Sequence, residues 1–150
     1  MYGQRRDDTQ PLTRALALAA LAALLGCGSV FDEPQIGHTL AATTPGGTLC
    51  MGEISTHAWE DLVVLGPYAT QAQADAALGF AWKGFSRTGV HEQDSYHVLV
   101  FATGTQVVRT EKIGRCQPDF DEAVLGRRIP RADACFTWVL DGRCPTLAPR

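Results

Sequence analysis

The chain of 150 residues has no apolar run long enough to span a bilayer. Ala15 to Leu25 is uncharged but only eleven residues long, whereas a spanning helix needs about 20. Motifs that would name a reaction are also missing. There is no G-x-S-x-G elbow for a serine nucleophile, no H-E-x-x-H metal helix, no phosphate loop and no dinucleotide fingerprint. The cysteines lack zinc spacing: Cys50, Cys116, Cys135 and Cys144 stand 66, 19 and 9 residues apart, with no C-x₂-C. Nor is there a cluster of Lys and Arg, and the net charge of −3 argues against nucleic acid, which needs clustered cations to neutralise phosphate. No internal repeat of 20–50 residues is present. The expectation is a non-enzymatic chain with no cofactor and no metal.

What is present begins with an address. Arg5, Arg6 and Arg14 precede the apolar run, which gives the basic head and short apolar core of a secretory signal. The run ends in Leu24-Leu25-Gly26-Cys27, which resembles the lipobox of bacterial lipoproteins. That resemblance implies a signal peptide over 1–26, lipidation of the Cys27 thiol and membrane attachment on the periplasmic side. Gly28 stands where Asp would retain such a protein at the inner membrane, so the implied address is the outer membrane. Residues 1–26 carry three Arg and two Asp, so their removal moves the net charge from −3 to −4. Without Cys27, four cysteines remain. An even count in an oxidising compartment reads as disulfides among Cys50, Cys116, Cys135 and Cys144, and three pairings are open.

Residues 27–48 are rich in Gly, Thr and Pro and read as the lipidated cysteine and a flexible tether. A single α+β domain is expected over 49–145, then a tail over 146–150. Its sheet should be small and antiparallel, with one main helix and one short one. "DLVVL" reads as a strand covered on both faces. "TQAQADAALG" reads as a helix with a Thr70–Gln73 capping box and a Gly79 stop. "SYHVLVFATGTQVVRTEKI" is a hairpin turning at Gly104. "DFDEAVLG" reads as a short helix from an Asp119 cap to Gly126, and "ACFTWVLDG" as a last strand with Phe136, Trp138 and Leu140 on one face.

Candidate sites are few. "HEQDSYH" offers His91, Asp94 and His97, but the spacing puts a loop and a strand junction between the histidines, so they read as ordinary polar positions. His57 with Glu60 and Asp61 imitates a general-base group without a nucleophile. Core packing accounts for the aromatic set Trp59, Tyr68, Phe80, Trp82 and Phe85; the binding alternative is a partly exposed Tyr68 or Trp82 used as a contact anchor.

Two resemblances extend this picture. "VVLGPYATQAQADAAL", Val63 to Leu78, resembles the second half of a sporulation-related (SPOR) repeat, which implies binding to peptidoglycan glycan strands. From Trp59 to Phe136, "WEDLVVLGPYATQAQADAALGFAW", "LVFATGTQVVRTEKI", "DF" and "IPRADACF" resemble a group of small uncharacterised bacterial lipoproteins. That likeness implies the fold and the address and carries no activity. The expected function is a lipid-anchored envelope protein that contacts other envelope proteins, with peptidoglycan as the alternative partner and a hydrolase as the remotest possibility.

Overall fold

A computed structural model describes residues 36–150. The expected signal peptide, Cys27 and the first part of the expected tether lie outside the described residues. The remainder is α+β: three helices and two four-stranded sheets.

One sheet is built around the expected hairpin. β3 (Tyr96–Thr103) and β4 (Gln106–Gly114) pair antiparallel through a two-residue turn whose first residue, Gly104, has φ 56°. β2 (Asp61–Leu65) pairs with β3, and β6 (Arg128–Pro130) with β2, giving the order β4-β3-β2-β6. Val63, Leu65, Val98 and Val100 point to one side of this sheet, while Leu62, Val64, Leu99 and Phe101 point to the other. All eight are buried. The two-sided burial expected of Leu-Val-Val-Leu is therefore observed.

The first side is covered by α3 (Gln71–Leu78), through Ala74 and Leu78, and by the 3₁₀ turns Phe85–Thr88 and Val90–Glu92. α3 has the expected ends. Thr70 Oγ1 accepts from the Gln73 N–H, the Gln73 side chain accepts from the Thr70 N–H, and Gly79 closes the helix at φ 79°. The second side packs on the other sheet, ordered β1-β7-β8-β5: β1 (Thr48–Cys50), β7 (Cys135–Asp141), β8 (Cys144–Pro149) and β5 (Asp119–Phe120). Leu49, Phe120, Phe136, Trp138 and Leu147 meet the inner residues of the first sheet to form the main core.

Three boundaries differ from expectation. Residues 36–48 are not a tether. α1 (Ile36–Ala42) buries Ile36 and Leu40, its first N–H donates to Glu111, and Gly46 and Gly47 exchange backbone hydrogen bonds with Trp138. Two apolar residues four apart are enough to dock one helical turn, but too few to show a period. Residues 146–149 are not a tail, because β8 continues to Pro149 and Leu147 is fully buried. The short helix over 119–126 is replaced by β5 and a turn. Phe120 pairs with Leu147, and Asp121 Oδ1 accepts from the Ala123 N–H, a local bond that competes with a helix. A further helix, α2 (Met51–Ile54), buries Met51 under β1.

The four cysteines form two disulfides, Cys50–Cys135 and Cys116–Cys144. Cys50 and Cys135 are also partners across the β1–β7 ladder.

Candidate functional site

β2 ends in Gly66-Pro67-Tyr68-Ala69, where the Ala69 N–H donates to the Gly66 carbonyl at 3.2 Å. Proline in the second place and a positive φ in the third are the marks of a type II turn. The third place normally holds Gly or Asn. Here it holds Tyr68, at φ 60°. Its N–H donates to Val90 O at 2.9 Å, which fixes the backbone, and its side chain is 59% exposed. A bulky residue in this conformation costs on the order of 1–3 kcal/mol and persists only when its surroundings hold it there.

Tyr68 stands at a groove of about 550 Å³ lined by Leu65, Gly66, Ala69, Gln73, Ala77 and Leu125 among others. The small side chains come from α3 and the turn. The far wall is the 121–126 turn, docked by the Gly126 N–H on Val64 O at 2.8 Å. At Gly66 a Cβ would lie 2.9 Å from Leu125 Cδ1, so a larger residue there would have to push that side chain aside. Among the described residues, no charged side chain lines the groove. Its lining suits the apolar face of a ligand.

Trp82, the other expected anchor, is not part of this groove. It is half-buried against Phe85, its backbone N–H donates to Asp75 Oδ1 at 2.8 Å, and it lines a separate hollow with Arg87, Val107 and Lys112. The other candidates also disperse. His57 packs edge-on against Phe101, while Glu60 accepts from the Gly104 N–H and Asp61 pairs with Arg128 at 2.6 Å. His91 lies by Phe85 on one side of the β4-β3-β2-β6 sheet and His97 against Phe120 on the other.

His97 leads to a group that sequence reasoning missed. Its Nε2 lies 3.6 Å from Asp119 Oδ1. The Asp119 carboxylate accepts Arg115 Nε at 2.7 Å, Arg115 Nη2 at 2.9 Å and the Cys116 N–H at 2.9 Å. The Arg115 hydrogen bond is the main reason the Asp119 carboxyl lies below the usual carboxylate range. Burial pushes the His97 pKa below its ordinary value and outweighs the opposite pull of Asp119. The signal available in the sequence is the i, i+4 pair Arg115/Asp119, of which only Asp119 enters the sequence reading, as a helix cap.

No family model matches the chain, and neither does any curated protein or solved structure. Among the described residues, no helix is long and apolar enough to cross a membrane.

Proposed function

We propose that the chain is a lipid-anchored, non-enzymatic binding protein of the cell envelope and that the Tyr68 groove is its contact site, with the apolar sugar faces of a peptidoglycan glycan strand as ligand. The observation that carries this reading is the exposed phenol ring, held by an unfavourable backbone conformation beside a groove without charge. Observed strain at an exposed aromatic supports a functional role, because packing gives no reason to keep it. The flat ring offers a face to the C–H side of a sugar, and the small side chains leave room for the strand to lie along α3. A second reading, contact with an envelope protein, draws support from Leu140 and Val139, both exposed near the β7–β8 turn. Attachment rests on the Leu-Leu-Gly-Cys27 stretch.

The decisive experiment replaces Tyr68 by Ala and by Gly and measures both the denaturation midpoint and retention on sacculi stripped of stem peptides. Stability should stay within about 0.5 kcal/mol of wild type for Ala, and Gly should be at least as stable, while retention is lost in both. Unchanged retention sinks the glycan reading, and crosslinks to envelope proteins that depend on Leu140 would then favour the second one. For the anchor, a labelled fatty acid should enter the wild type and be lost in Cys27→Ser; equal labelling of both would overturn it.

A further inference from the structure

The Cys116–Cys144 bridge sits at a corner where three metal-binding side chains converge, with His97 beside the third, Asp119. Cys116 is exposed, on the turn after β4, and Cys144 opens β8. One ligand atom each from Cys116, Asp119 and Cys144 lies within 4.8 Å of the others. Two donors on one zinc ion, at up to about 2.3 Å each, stand no more than about 4.6 Å apart, and the Asp119 oxygen lies within 4.8 Å of both bridged sulfurs. Cys116-x-x-Asp119 also has the two-residue interval common between zinc ligands, with a carboxylate in the second place.

The independent pointer is His97. Only 3% of this residue is exposed, and among the described residues neither ring nitrogen has a partner at hydrogen-bond distance. A buried imidazole left so is costly, and the disulfide-bonded state gives it nothing but the Asp119 oxygen at 3.6 Å.

We propose that this corner is a redox-gated metal site: when the bridge is opened, Cys116, Cys144 and Asp119, with His97 as fourth ligand, bind a divalent ion of the zinc class. The gate balances simply. An external dithiol attacks the bridge and gives it two electrons and two protons. The dithiol closes to its own disulfide, and Cys116 and Cys144 become thiols. Metal binding then releases those two protons. Cys116, the exposed sulfur, is the accessible point of attack. Charge closes as well: two thiolates and one carboxylate face the divalent ion and the Arg115 guanidinium, which keeps its bond to Asp119 Oδ2 as an outer donor. Disulfide and metal exclude each other, so the bridged form is the closed state of the site.

The test uses the full chain carrying Cys27→Ser, reduced with a dithiol, freed of it without air and titrated with Co²⁺. The expected result is one equivalent bound only after reduction. It should show thiolate-to-cobalt charge transfer and the intense visible bands of a tetrahedral ion, bleached by Zn²⁺. Cys116→Ser should abolish the bands, His97→Ala should weaken binding by about tenfold or more, and Cys50→Ser should change neither. If the reduced chain keeps its circular dichroism and shows no bands, the proposal is overturned. Bands that survive Cys116→Ser, or that ignore His97→Ala, overturn it too. If reduction unfolds the chain, Cys144→His removes the bridge while Cys50–Cys135 stays closed. Failure of that variant to bind Co²⁺ in a His97-dependent way is equally fatal.

Discussion

Tyr68 and His97 are both side chains placed against their own preference, one by backbone conformation and one by solvation. At Tyr68 two signals conflict. Gly-Pro-aromatic announced a turn, and an aromatic after a strand is most often core, yet a type II turn points its third side chain outward. Exposure was therefore legible from turn chemistry and not from hydrophobicity. His97 could not be found that way, because strand alternation gives the face of a residue and not its polar neighbours. In the disulfide-bonded protein it makes a pH prediction. The folded-state pKa is depressed, so the unfolded chain takes up the proton first. Stability should be full above about pH 6.5 and decline as the pH falls through the imidazole range. Asp119 adds a loss of the same sign in a lower window, below the ordinary carboxylate pKa. Urea midpoints between pH 8 and 5 should fall for wild type and flatten for His97→Leu, which keeps the site apolar; an equal slope in both would remove His97 from the account.

Among the elements, those with strong local chemistry were readable in advance. The Thr70–Gln73 capping box, the Gly79 stop and the Gly104 turn announce α3 and the β3–β4 hairpin by rules that need no tertiary context. Gly142-Arg143 is the same kind of signal: it makes the two-residue turn into β8, beside the expected tail, and Gly142, in its first place, takes φ 80°. By contrast, α1 and β5 exist because of distant partners, Glu111 and Trp138 for the segment 36–47 and Leu147 for Phe120. Nothing within either segment could have shown them. If 36–42 is core and not tether, Leu40→Ala should cost about 2–5 kcal/mol, as for a fully buried leucine. A change under about 0.5 kcal/mol in chemical denaturation would return the segment to linker status.

At the scale of the whole molecule, the two disulfides divide the work unevenly. Cys50–Cys135 spans 85 residues and Cys116–Cys144 spans 28. By loop-closure entropy each contributes about 2–5 kcal/mol, with the longer loop ahead by roughly 1 kcal/mol. The Cys50→Ser/Cys135→Ser double variant should therefore have the lower urea midpoint; the reverse order would mean that the unfolded chain is not where the bridges act. The position of that first bridge has a mechanical side. If the chain is hauled from its N-terminal side, as a membrane anchor would haul it, helix α1 and the start of β1 can peel away, but extension stops at Cys50. The fourteen residues 36–49 yield roughly 50 Å of slack at full stretch. Beyond that the load passes through a covalent bond into β7, an interior strand of its sheet. The protein would then behave as a short extensible leash ending in a locked body, so that tension between anchor and groove lengthens the first part without reshaping the second. Single-molecule pulling should show one early step of that length in the oxidised chain. In the Cys50→Ser/Cys135→Ser variant the force should instead run on into the sheets.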